Sequence, residues 1–216
     1  MTISYENKNI IVLGNGGHAS VIADLLDELN IKNITICTND LNNHTVHKSL
    51  NYISEAELVS KKASRDKTYL VNGIGSVNSL RKRIEIYTKF KNLKFSFINI
   101  IHPFSYVSKS VRLGDGVQIF AGSILQPNLS VGDNVIINTK VSVDHDCTIN
   151  NHVHLAPGVT VSGGVTIGAG THIGTGATVI QGVNIGENCH IGAGCLITED
   201  VISNSKVRTE VKVKMA

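Results

Sequence analysis

The 216-residue chain has no tryptophan, few aromatics of any kind (5%) and no dense basic run. No apolar stretch approaches the roughly 18 residues of a membrane span, so no membrane partner is expected. The N-terminus, MTISYENKNIIVLG, lacks the basic-then-apolar layout of a signal peptide. The expected location is therefore the cytoplasm. The four cysteines, Cys37, Cys147, Cys189 and Cys195, show no CxxC spacing. Reduced structural thiols are expected rather than disulfides or a metal site. A net charge of +3 is too weak to imply nucleic acid, though a mild excess of lysine suits anionic small molecules such as nucleotides.

What is present is ordinary for a globular protein, at 42% hydrophobic and 17% charged residues. Twenty glycines with few large side chains suit a narrow, tightly wound core. Two different periods divide the chain, and they predict a domain over 1–100 and a second over 101–216.

Residues 1–100 read as an alternating β/α domain. Ile10–Leu13 is a short buried-strand run, followed by Gly14-Asn15-Gly16-Gly17-His18-Ala19. Val21, Ile22, Leu25, Leu26 and Leu29 then recur at helical spacing. Ile34–Cys37 and Tyr69–Val71 read as further strands, Leu80–Phe90 as a helix rich in lysine and arginine, and Phe95–Ile100 as a closing strand. The glycines fit G-x-G-x-x-A between a strand and a helix, a Rossmann-like βαβ opening. There the backbone can approach a phosphate at a helix N-terminus. The bland alternative is a tight strand-to-helix turn. An acidic residue about twenty positions on would favour a dinucleotide. Asp40 falls later than that, so one nucleotide half is expected.

From Val107 the period is six. Sixteen hexads run without insertion to Ile202, and all sixteen first residues, from Val107 to Ile197, are aliphatic. The fifth position is Val nine times and Cys three times, stiff or small side chains suited to a second inward row. The second position is Gly six times, which predicts tight turns there. Each hexad would supply one short strand and one corner of a triangular prism, three hexads making a coil. The repeat must stack to satisfy its backbone. The pattern specifies a parallel β-helix but not its hand.

Val143-Asp144-His145-Asp146-Cys147 differs in chemical character from the other hexads. His145, at a third position, should point outward at a corner beside Asp146. A histidine oriented by a carboxylate is the recurrent general-base unit. An exposed corner histidine among solvated carboxylates is the plain alternative. Cys147 falls at an inward fifth position, which demotes it as a nucleophile. His154, His172 and His190 share the sixth position at steps of eighteen and should form an outward ladder. Imidazoles are good zinc ligands, but the ladder lacks the short two-histidine spacing of hexapeptide-repeat carbonic anhydrases. No metal is expected.

The hexads, with IGAGTHIGTGATV and IGENCHIGAGCLI, resemble the hexapeptide-repeat acyltransferases, whose β-helix is left-handed and which form homotrimers. LGNGGHAS joined to VDHDC and HLAPGVTVSGGVTIG narrows the resemblance. These segments are similar to bacterial sugar acetyltransferases of surface-glycan pathways, which act on UDP- or GDP-linked 4-amino-4,6-dideoxy sugars or on sialic acid. The resemblance implies acetyl-CoA as co-substrate and active sites between subunits. It implies His145 as general base with Asp146 orienting it, and His154 near the acetyl end of acetyl-CoA. Gly163, Thr175 and Ala193 would line the coenzyme groove. Gly14, Gly16, Gly17, His18, Asp40, Gly73 and Gly75 would hold the sugar nucleotide, with Asn138 and Asp144 at the sugar. The N-acetyltransferase is the expected function, with sialic acid O-acetylation as the alternative and a non-catalytic or metal-dependent hexapeptide protein as the third. The tail departs from the family's G-x-P-A-K-like ending. Arg208, Lys212 and Lys214 would reach coenzyme phosphates or form a frayed basic end.

Overall fold

The computed structural model describes residues 8–41, 45–46, 49–60, 68–76 and 79–209. The chain forms two compact units: 1–103 with 114–118, and 104–113 with 119–216.

In the first unit the elements run β1 (Asn9–Leu13), α1 (Gly17–Glu28), β2 (Ile34–Cys37), β3 (Asn51–Ile53), α2 (Glu55–Ser60), β4 (Thr68–Asn72), α3 (Arg81–Asn92) and β5 (Ser96–Phe97). The sheet order is β3-β2-β1-β4-β5, every pairing parallel. β1 is apolar from Ile10 to Leu13 and buried throughout that run, as expected of a central parallel strand covered on both faces. α1 buries Ala19, Ile22, Leu25 and Leu26 along one stripe. It stops at Asn30, whose φ of 58° lets its N–H and that of Ile31 close back on Asp27 and Leu26 carbonyls. The order reverses at β1, so the carboxyl ends of β1 and β4 bracket a topological switch point, the usual ligand position in such sheets.

The sequence-level reading misses β3 and α2. Each buries a single hydrophobic residue, Ile53 and Leu58, which is too little for a periodic signal. The predicted closing strand shortens to Ser96–Phe97. No helix among the described residues is long and apolar enough to cross a membrane.

The second unit is a parallel β-helix. Its strands are two residues long, the sixth position of one hexad and the first of the next. They pair at eighteen-residue steps: Leu125 with Val143, Val161 and Val179; Val131 with Ile149 and Ile167; Ile137 with Leu155 and Ile173. First positions point inward, Ile119 through Ile197 being almost wholly buried, and so do the fifth, including Cys147, Cys189 and Cys195. Parallel neighbours on both sides satisfy the backbone of the inner two-residue strands, so the stack holds together without long strands.

Two expectations are corrected. The second-position glycines are not the tight turns. Their φ values are not positive; instead a Cβ at Gly174 would lie 2.6 Å from Ala193 N, and one at Gly132 2.7 Å from Asn151 N. At Gly132, Gly168, Gly174 and Gly186 the next coil approaches too closely for a side chain. The turn falls at the fourth position, where Gly122, Asn128, Asn134, Lys140, Asp146, His152, Gly158 and their successors through Gly194 all have φ between 54° and 74°. The repeat also shortens at its end. Val201 bridges Ile185 and Val207 pairs with Ile191, sixteen residues on rather than eighteen.

Candidate functional site

His145 stands at a corner of the β-helix with 52% of its side chain exposed. The backbone of Asp146 is left-handed, with φ 60°. That conformation is open to an aspartate because its short polar side chain bonds locally, and here it turns the carboxylate back towards its neighbour. His145 Nδ1 donates to Asp146 Oδ2 at 2.8 Å. A carboxylate only accepts, so Nδ1 carries a proton, and in the neutral ring the lone pair sits on Nε2. Nε2 makes no hydrogen bond among the described residues. Asp144 Oδ1 accepts the His145 backbone N–H at 2.8 Å, which fixes the corner rather than the ring. The bond to Asp146 comes first among the influences that raise the His145 pKa above the ordinary imidazole value, with the Asp144 charge next; slight burial opposes them. The imidazole is thus a strengthened, solvent-facing base.

One coil on, Gly163 forms the platform for this ring. A Cβ there would lie 2.7 Å from His145 Cε1 and 2.8 Å from Nε2. Thr175 and Ala193 stand on a different corner, the one that also carries Thr139 and Pro157; Gly194 N–H bonds to Thr175 O at 2.9 Å along it. Within one chain, then, the structure joins Gly163 to His145 and keeps Thr175 and Ala193 apart from both.

The histidine ladder forms, with His154–His172 and His172–His190 centroids each 4.9 Å apart. Its expected exposure is corrected at His154, which is only 8% exposed. There the imidazole meets the His172 ring edge-on and the Asn138 amide, whose Nδ2 donates to His154 Nε2 at 3.2 Å. Asn138 Oδ1 accepts the Thr139 N–H at 2.8 Å, so the amide orientation and the His154 tautomer are both set. Burial, then the neighbouring His190, lowers the His172 pKa to about 4. His172 is therefore a poor site for a charge, and no group of His, Cys, Asp and Glu among the described residues is placed to hold a metal ion. Cys147 is buried, its thiol pKa raised chiefly by burial, and its Sγ donates to Ser162 O at 3.1 Å.

In the first unit the switch point gathers Gly14, His18, Gly73 and Gly75. A Cβ on Gly14 (φ 107°) would meet Ile74 Cδ1 at 2.7 Å, and one on Gly73 would meet Leu13 O at 2.8 Å. These two glycines let the β1 and β4 ends pack. Gly16 and Gly17 face open space, and Gly16 caps α1 without a side-chain bond. Among the described residues, that leaves the N-terminus of α1 clear for an anion. Asp40 is exposed beyond the end of β2, its N–H donating to Thr38 Oγ1 at 3.2 Å. A cavity of about 370 Å³ beside α1, lined by Ser20, Asp24, Ile34, Val46 and Leu50 among others, includes none of the predicted nucleotide residues.

Beneath the glycine turns lies a polar network that sequence reasoning misses. The buried Arg83 donates through Nη1 to Asn72 O and Ile74 O, each at 2.9 Å. Gln118 Nε2 donates to Asn72 O, and Gln118 Oε1 accepts from His18 Nε2, both at 2.8 Å. The amide is therefore fixed, and His18 carries its proton on Nε2. Burial and the Arg83 charge lower the His18 pKa to about 4, against the Gln118 bond. Burial lowers that of Arg83 to about 9. Arg83 holds the Gly73–Gly75 turn by its carbonyls, and His18 is neutral. Of the basic tail, Arg208 is exposed, while Lys212 and Lys214 lie outside the described residues.

The PglD N-terminal domain family matches residues 9–88, and the bacterial transferase hexapeptide family (six repeats) matches residues 164–199. The acetyltransferase domain of PglB from Neisseria gonorrhoeae FA1090, in complex with acetyl coenzyme A, is 30% identical with a TM-score of 0.85, over 93% of this chain and 95% of that one. A histidine-to-asparagine mutant of perosamine N-acetyltransferase from Caulobacter crescentus, in complex with CoA and GDP-perosamine, is 30% identical with a TM-score of 0.85, over 99% of this chain and 100% of that one. WeeI from Acinetobacter baumannii AYE, at 21% identity and a TM-score of 0.82 over 91% of this chain and 94% of that one, shares the fold. No curated protein sequence matches the chain.

Proposed function

The chain belongs to the bacterial hexapeptide-repeat sugar acetyltransferases, and from that premise we propose that it N-acetylates the 4-amino group of a UDP- or GDP-linked 4-amino-4,6-dideoxy sugar in surface-glycan synthesis. It is an acyltransferase that uses acetyl-CoA. The observation that carries the finer reading is the exposed His145–Asp146 pair, with Nδ1 on the carboxylate and Nε2 as the lone-pair nitrogen of the neutral ring.

The chemistry follows from that atom. The sugar amine attacks the thioester carbonyl carbon, forming the C–N bond. His145 Nε2 takes the proton that the nitrogen sheds. The C–S bond breaks, CoA leaves as the thiolate, and the imidazolium proton neutralises it. Asp146 stabilises the imidazolium and keeps the ring in one tautomer. A positioned base of this kind contributes about 10²–10⁴-fold. No protein nucleophile is needed, in keeping with the burial of Cys147.

The sugar nucleotide is placed by Gly14, Gly16, Gly17, His18, Gly73 and Gly75, with Asp40 beyond β2 and with Asp144 and Asn138 at the sugar. The open α1 N-terminus supports phosphate binding there. His154, Thr175 and Ala193 serve acetyl-CoA, while Gly163 acts as the His145 platform. His145 and the Thr175–Ala193 corner are separate within one chain, which favours a homotrimer whose sites lie between subunits. The test is to incubate the protein with acetyl-CoA and UDP- or GDP-linked 4-amino-4,6-dideoxy sugars, following CoA release and product mass. An N-acetylated sugar nucleotide is the expected product. Turnover of sialic acid to an O-acetyl ester, with none of the amino sugars acetylated, would replace this reading with the O-acetyltransferase.

A further inference from the structure

The corner that carries His145 is a column of fourth-position residues: Ser110, Asn128, Asp146 and Gly164, spaced by eighteen. Asn128 sits one coil before Asp146 and shares its left-handed backbone, with φ 66°. Its amide Nδ2 donates to Asp146 Oδ1 at 3.0 Å. Its own N–H donates to Ser110 Oγ at 2.9 Å, which pins the residue from below. The two oxygens of Asp146 are thereby divided, Oδ1 to Asn128 and Oδ2 to His145 Nδ1.

We propose that Asn128 is a positioning residue for the acetyl-transfer base, holding the Asp146 carboxylate in the one rotation that accepts from His145. The proposal rests on the reading of His145 as that base. Asp146 is exposed, and among the described residues no other hydrogen bond restrains its carboxylate about its last bond. With Oδ1 anchored by an amide N–H, only Oδ2 remains for the imidazole, so the ring inherits its orientation from the coil below. A neutral donor is the right chemistry. It favours the carboxylate anion without adding a positive charge that would compete with the imidazolium. An asparagine that merely suits a left-handed corner is the competing account. Glycine occupies the equivalent position at 122, 158, 164, 170, 176, 182 and 194, so Asn128→Gly removes the amide and leaves the turn unstrained.

The groups facing the His145 ring are Asp144 and Asp146 on its own coil, Asn128 through Asp146 on the coil before, and Gly163 on the coil after. The Asp146 bond raises the His145 pKa. Losing the anchor weakens that bond, so the pKa falls towards the ordinary imidazole value. A base must be neutral to act, so the acid limb of kcat/KM moves to lower pH while the plateau drops. Asn128→Asp adds a negative charge and moves the limb the other way.

The experiment pairs two readouts on wild type, Asn128→Gly and Asn128→Asp: the NMR titration of the His145 ring in the free protein, and the pH profile of acetyl transfer. Asn128→Gly is expected to lower the His145 pKa and cut kcat roughly three- to tenfold, with unchanged thermal stability. Asn128→Asp is expected to raise the pKa. An unshifted His145 titration in Asn128→Gly overturns the proposal, whatever the rate does. If His145→Ala retains full activity, the base reading fails instead, while the NMR titration still decides whether Asn128 orients the pair.

Discussion

Gly163→Ala isolates the geometry of His145 from the stability of the fold. A methyl group at this position would stand 2.7 Å from His145 Cε1 and 2.8 Å from Nε2. Ordinary carbon contacts begin near 3.5 Å, so the ring must retreat by roughly 0.8 Å. Gly163 has no positive φ, so alanine costs nothing through backbone strain. The ring is the far end of an exposed side chain, free to swing into solvent, and the fold therefore loses little, within about 0.5 kcal/mol. Catalysis does not share that tolerance. Misplacing a reacting group by about 1 Å can cost on the order of 10²-fold, and moving the ring also lengthens its 2.8 Å bond to Asp146. Steady-state kinetics with acetyl-CoA and the amino-sugar nucleotide should show kcat down by about 10- to 100-fold, with a melting temperature within about 2 °C of wild type. Wild-type kcat in Gly163→Ala would refute the claim that this glycine seats the base. A collapse of the melting temperature would refute the claim that the contact is only with the ring.

Two glycines outside the site should fail for different reasons. Gly168→Ala drives a Cβ into the Gly186–Glu187 backbone and should destabilise by about 3 kcal/mol or more. Gly182→Ala meets nothing within 4 Å but must hold φ 74°, at about 1–2 kcal/mol; equal melting temperatures for the two would contradict this division of roles. Cys147→Ala should keep turnover within about threefold of wild type, since the direct route needs no thiol. Loss of activity in a folded Cys147→Ala protein, with an acetylated cysteine trapped in the wild type, would replace direct transfer by a covalent intermediate.

The parallel β-helix was legible, apart from the position of its turns and the shortening at its end, because its signal is redundant. Every hexad repeats the same inward aliphatic residue, and burial of first and fifth positions follows from register alone. The His145–Asp146 pair was legible because its members are adjacent in the chain. Asn128 was not: its partner lies eighteen residues away, and an asparagine at a corner already has a backbone reason to be there. The role of Gly163 was hidden similarly, since a glycine does not announce which side chain needs its space. Glycines at second and fourth positions look alike in sequence, yet one set yields to a neighbouring coil and the other supplies a left-handed turn. Arg83 lies among lysines and arginines on α3 and reads as surface, although it is buried under the Gly73–Gly75 turn. Gln118 belongs to a hexad by register and to the first unit by contact.

His145 is proposed as the base for acetyl transfer to a sugar amine. His145→Ala, assayed at saturating acetyl-CoA and amino-sugar nucleotide, tests it most directly. With His145 as the base, kcat falls by about 10²–10⁴-fold, the acid limb of the pH profile disappears, and the protein melts as wild type does. A His145→Ala enzyme turning over at near the wild-type rate would contradict it.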